Sequence, residues 1–175
     1  MPLFPDISAT DDFTVEMLRQ MLPNIVVKNS TTTITSDASL NNDPDLADVP
    51  LGVGTWYLEA HIFMTCTTSA TPDLKTQWAF SGTWNNPLRA LQGPGTSNTA
   101  GSTVITPVRM GAQATNSDAV YGLAASAAYS YAIERCFNVT VTAAGLWTLQ
   151  WAQNTSDASN TNVHQGSALI ARQIA

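Results

Sequence analysis

Charge is scarce in this chain. Asp, Glu, Lys and Arg make up 11% of its 175 residues, less than half of the usual ~25%. Only seven are Lys or Arg against thirteen Asp and Glu, for a net charge of −6. The basic residues, Lys28, Lys75, Arg89 and Arg109 among them, are scattered. No stripe exists that could displace counterions from phosphates, so no nucleic-acid partner is expected. No apolar run reaches the ~18 residues of a membrane span, and Met1-Pro-Leu-Phe-Pro-Asp6 has neither the basic start nor the apolar stretch of a secretory leader. Neither membrane insertion nor secretion by a leader is therefore expected.

Groups that do chemistry are equally thin. The two histidines, His61 and His164, lack a second ligand at zinc-like spacing. Cys66 and Cys136 each sit among alternating apolar residues and read as small buried hydrophobes, with a disulfide open to them only if their strands pair. Glu59 and Glu134 are the glutamates in strand-like segments, and both are placed on polar, solvated faces, not across a cleft as glycoside hydrolysis requires. Asp43, Asp45 and Asp48 cluster, but Pro44 and the missing Gly and terminal Glu break a calcium loop and leave a turn. No nucleophile elbow, phosphate loop or dinucleotide fingerprint occurs. The expectation is a protein that is not an enzyme and holds no cofactor or metal.

What is abundant is Ser, Thr, Asn and Gln, which suit strands and turns better than helices. Helical spacing occurs once, over residues 11–22. Phe13, Met17 and Met21 recur with Leu18 and Leu22, Thr10 or Asp11 can cap the start, acidic residues fill the first turn and Pro23 ends it. A helix this short needs a surface to rest on. Residues 1–30 accordingly read as an arm, with Phe13, Met17, Leu18, Met21 and Leu22 as candidate anchors. The arm falls in the acidic part of the chain, since eight of the thirteen acids precede residue 50.

Beyond it the period is two. Thr31 to Leu40 is a Thr-rich strand, and Asn41-Asn-Asp-Pro-Asp45 a dense turn. Thr55 to Cys66 sets Trp56, Leu58, Ala60, Ile62, Met64 and Cys66 on one face, and Tyr57, Glu59, His61, Phe63 and Thr65 on the other. Leu74, Thr76, Trp78 and Phe80 line another strand. Residues 82–102 read as a long loop broken near Leu88 to Leu91, and Thr103 to Met110 as an edge strand marked by Pro107. Tyr131 to Val141 is read with Ile133, Arg135, Phe137, Val139 and Val141 on one face against Glu134, Cys136, Asn138 and Thr140. Trp147, Leu149 and Trp151 form an apolar row, 154–162 a polar loop, and Val163 to Ile174 the last strand. Seven or eight strands with turns between them and no alternating helices argue for an all-β fold over 31–175, a β-sandwich of jelly-roll type. Most tryptophans fall in strand rows. Trp84 falls in a loop and is the candidate for stacking on a sugar.

Two stretches resemble a known family. Leu149-Gln-Trp-Ala-Gln-Asn-Thr-Ser156, followed by Val163-His-Gln-Gly-Ser-Ala-Leu169, is similar to the ending of tailed-phage virion proteins, especially those of phages infecting actinobacteria. Leu40-Asn-Asn-Asp-Pro-Asp-Leu46, leading to Gly54-Thr-Trp-Tyr-Leu-Glu-Ala60, looks like the opening of the same domain. The resemblance spans residues 31–175. It implies a jelly roll like the C1q and tumour-necrosis-factor heads, displayed on the virion as a homotrimer bound to the major capsid protein or a tail protein. The arm outside the match favours a capsid decoration or cement protein, with Tyr57, Phe63, Trp147 and Trp151 as candidate trimer contacts. The alternative is a tail, baseplate or short-fibre module that binds host surface glycan through loops 82–102 and 154–162.

Overall fold

A computed structural model describes residues 22–67, 72–85, 87–96, 108–123 and 129–174. They form fourteen strands and no helix: β1 (Asn24–Val27), β2 (Thr32–Ile34), β3 (Asn41–Asn42), β4 (Val49–Leu51), β5 (Gly54–Cys66), β6 (Leu74–Phe80), β7 (Thr83–Trp84), β8 (Leu88–Pro94), β9 (Val108–Ala114), β10 (Ala119–Tyr121), β11 (Ser130–Ala143), β12 (Gly145–Gln153), β13 (Thr161–Val163) and β14 (Ala168–Gln173). The helix expected over 11–22 lies outside the described residues except for Leu22, which is exposed.

The strands make two antiparallel sheets. The nine-stranded sheet runs β1-β14-β5-β11-β8-β9, with β13 joining β5, β2 joining β13 and β7 joining β11. The five-stranded sheet runs β10-β6-β12-β3, with β4 also on β12. Consecutive long strands change sheets, β5 to β6 and β11 to β12. The second change is tight. A Cβ on Gly82 would lie 2.3 Å from the Ala143 carbonyl oxygen, and one on Gly145 would lie 2.2 Å from the Gly82 nitrogen. Only glycine lets the two backbones pass this closely.

The core fills the space between the sheets as the period-two pattern dictates. The predicted inner rows of β5 and β6 are buried except for the half-buried Phe80. Trp78 meets Trp147 edge-on at 4.8 Å between ring centroids. Cys66 and Cys136 are both buried and free. They do not oppose each other, since Cys66 pairs with Thr161 and Cys136 with Leu58.

Three sequence expectations are corrected. The β domain starts before residue 31, because Asn24–Val27 pairs with β14 along its whole length. Trp147 and Trp151 are 0% and 1% exposed inside the sandwich, where neither can face a neighbouring subunit. The face assignment of β11 is half inverted. Its register against β5 breaks between Cys136 and Val139. A bulge there adds a residue and switches the alternation. Ala132, Glu134 and Cys136 point inward before it, and Val139 and Val141 after it, while Phe137 and Asn138 are both exposed.

Glu134 is therefore not solvated. It is 0% exposed and faces Arg89 of β8, whose Nη1 donates to its Oε2 at 2.6 Å. Tyr121 Oη donates to Oε1 at 2.9 Å, Thr76 Oγ1 donates to the same oxygen, and Arg89 Nη2 reaches the Thr76 carbonyl at 3.0 Å. A buried carboxylate survives because its charge is matched and its lone pairs are occupied.

Candidate interaction face

The two outward faces of the sandwich differ in chemistry. That of the small sheet carries Lys75, Gln77, Gln150 and Asn42, with Gln150 Nε2 donating to Asn42 Oδ1 at 2.8 Å, while Thr148 is buried and accepts from the Asp48 backbone N–H at 3.2 Å. Leu146 is its exposed apolar side chain. The outward face of the large sheet is aromatic and aliphatic instead.

Register sets that face. His61 of β5 lies opposite Ile133 and Ala168, Glu59 opposite Arg135 and Ile170, and Phe63 opposite Tyr131. Ile25 and Val27 extend the face across β1, and both are exposed. The rings meet in two groups. Phe63 and Tyr131 lie 5.2 Å apart, His61 and Tyr131 5.9 Å, and Tyr57 and Phe137 5.3 Å. Phe137, turned outward by the bulge, is 63% exposed.

Among these rings lies one polar knot. Glu59 accepts from Tyr57 Oη, from Arg135 Nε at 3.2 Å and from His61 Nε2, while His61 Nδ1 meets Tyr131 Oη at 2.5 Å. Burial works to raise the Glu59 carboxyl, but the hydrogen bonds from Tyr57 and Arg135 and the charge of His61 outweigh it, and its pKa falls below the usual carboxylate value. Burial and the bond to Glu59 push the Tyr57 phenol up to about 12. Tyr131 is likewise raised, by burial and then by the Glu59 charge. The knot is thus an ionised carboxylate held among matched donors on an open sheet. Such a face can be covered by protein without stranding a carboxylate. Arg172, opposite Tyr57 on β14, is exposed beside it.

The remaining sequence candidates fall elsewhere. Phe13, Met17, Leu18 and Met21 lie outside the described residues. Trp84 is not in an open loop: β7 pairs with β11, and the Trp84 ring stacks on Phe80 at 4.7 Å and packs against the core. Asp43 is buried in a salt bridge with Lys28 Nζ at 2.8 Å and accepts from Trp151 Nε1 at 2.9 Å. It serves as a fold clamp. No group of His, Cys, Asp and Glu among the described residues could hold a metal ion, and no described helix is long and apolar enough to cross a membrane.

Of the four predicted trimer contacts, only Tyr57 and Phe63 share the outward face. Sequence reasoning missed Tyr131, Phe137 and Arg135 as their partners. The one available signal was the run Cys136-Phe-Asn-Val139, in which no single alternation buries both Cys136 and Val139.

No protein-family model matches the chain, and no curated protein matches it. Among solved structures it is similar to a chain from the structure of infectious bursal disease virus Gx strain, at 8% identity and a TM-score of 0.21, covering 98% of this chain and 44% of that one.

Proposed function

We propose that this chain is a structural protein of a tailed-phage virion, a jelly-roll module that assembles as a homotrimer and decorates or cements the capsid surface. The observation that carries the reading is the contrast between the two outward faces. Two aromatic pairs on one sheet, Tyr57–Phe137 and Phe63–Tyr131, joined through the Glu59–His61 knot and flanked by Ile25 and Val27, match the apolar, charge-matched centre of a subunit interface. The polar face of the other sheet suits solvent. The jelly-roll topology is supported by the exchange of consecutive long strands between sheets. The sequence resemblance supplies the virion setting. In this reading the segment before β1 anchors the module on the shell, and the module carries no catalysis.

Sedimentation equilibrium tests the assembly. The wild-type chain is expected to behave as three copies. Phe63→Glu with Phe137→Glu is expected to give a folded monomer with an unchanged far-ultraviolet spectrum. A wild-type monomer would overturn the trimer. Electron microscopy of intact particles tests the location, and removal of residues 1–21, which leaves β1 whole, is expected to abolish capsid occupancy.

A further inference from the structure

Past the end of the aromatic row, the large sheet gains two short strands that lie off its main path, β13 on β5 and β2 on β13. Their outward side chains form a row. Thr33 lies opposite Asn162, and Asn162 opposite Thr65. Thr33 Oγ1 donates to Asn162 Oδ1 at 2.7 Å, and Asn162 Nδ2 donates to Thr65 Oγ1 at 3.1 Å. The same hydroxyl meets His164 Nε2 at 2.8 Å, and Thr31 Oγ1 lies 3.4 Å from His164 Nδ1. A second rung, Thr35 Oγ1 to Asn160 Oδ1 at 2.8 Å, continues the pattern.

Against this row stands Tyr129. Its ring is 74% exposed yet is not loose on the surface, because it packs on the His164 imidazole at 4.7 Å between centroids. None of Thr31, Thr33, Thr35, Asn160, Asn162 and Tyr129 carries a charge, and burial lowers the His164 pKa so that its ring is neutral at physiological pH. The bordering carboxylates, Asp37 and Asp157, each accept from a backbone N–H in their own turn, at Ser39 and Ser159.

We propose that this corner binds a neutral saccharide, with the Tyr129 ring as the stacking platform and the Thr33, Asn162 and Thr35–Asn160 side chains as the hydrogen-bonding row. The chemistry fits a sugar and little else. A pyranose offers an apolar C–H face to an aromatic ring and a rim of hydroxyls that both donate and accept. Threonine hydroxyls engaged in one bond retain a lone pair, and an asparagine amide offers further donors and acceptors. Three adjacent strands place the row over roughly 10 Å, about the length of a disaccharide. An anionic glycan would lack a counter-charge here, and an apolar ligand would strand the row. The chemistry of this corner is the same whether or not the chain is a virion protein.

The test is a nuclear magnetic resonance titration of the full chain against a panel of neutral bacterial and plant oligosaccharides, with sialyllactose as the anionic comparator. Shifts are expected at Tyr129, Asn162 and Thr33 with at least one neutral sugar. Tyr129→Ala is expected to weaken that binding at least tenfold, while Tyr129→Phe, which keeps the stacking face, retains it. Leu146→Ala, at an exposed site on the other sheet, is expected to leave sugar binding unchanged. Silence across the whole panel, shifts confined to other residues, or a stronger response to sialyllactose would overturn the proposal.

Discussion

Arg89 of β8 and Glu134 of β11 form an ion pair whose side chains are both fully shielded from solvent. The Arg89 guanidinium also lies 5.7 Å above the Trp78 ring, so one arginine ties the large sheet to the small one across the core.

Removing one member alone should be costly, because the other is left charged and unmatched. Arg89→Met is expected to lose about 3–5 kcal/mol of stability. Pairing it with Glu134→Leu should restore much of the loss, since apolar replacement of both partners removes the desolvation penalty. Urea unfolding of the two single variants and the double variant measures both. A double variant no more stable than either single would show that the geometry of the pair, not its charge, holds the sheets together.

The bulge in β11 predicts the effect of a one-residue deletion. Removing Asn138 leaves Cys136 and Val139 two residues apart, so strict alternation points both inward and neither half of the strand is inverted. The shortened strand is therefore expected to keep the near-ultraviolet dichroism signal of the packed tryptophans and to lose no more than about 3 kcal/mol in urea unfolding. A collapsed signal would show that the strand needs the bulge itself and not only the alternation. Asn138→Ala, which keeps the residue count at this exposed site, is expected to stay within about 0.5 kcal/mol of wild type.

Asp73 predicts a pH dependence. Burial pushes its carboxyl up to about 6 from 3.8, although it accepts from the Leu123 N–H at 3.3 Å. The fold thus favours the protonated form. That contribution is complete below the unfolded value and is lost as pH rises through about 6. Asp73→Asn removes the charge, keeps an acceptor and tolerates the left-handed backbone there, φ +42°. At neutral pH it should be more stable by about 1 kcal/mol, discounted because the group is only half buried. The gain should vanish on acidification to about pH 4. Thermal melts across that range check it, and a gain independent of pH would assign the effect to the backbone.

Much of the fold was legible in the sequence because alternation is a local property. The rows Trp56 to Cys66 and Trp147 to Trp151 each have a period set by a few neighbours, and both are buried as that period requires. The interaction face was legible only where the chain stays regular, at Tyr57 and Phe63. On β11 the same rule, run back from Val139 and Val141, passes through a bulge and places Glu134, Arg135 and Phe137 on the wrong sides. The strands that carry Thr33 and Asn162 are three residues long, too short to show a period.

By itself, then, the sequence determined that this protein is all-β, with scarce charge and apolar rows that must be buried between layers. Only the tertiary structure decided which tryptophans close the core, which carboxylate is buried on an arginine and which aromatics remain outside. The reason is physical. A period of two assigns residues to two faces of a strand, but which face becomes the interior depends on the partner strands and on a single inserted residue.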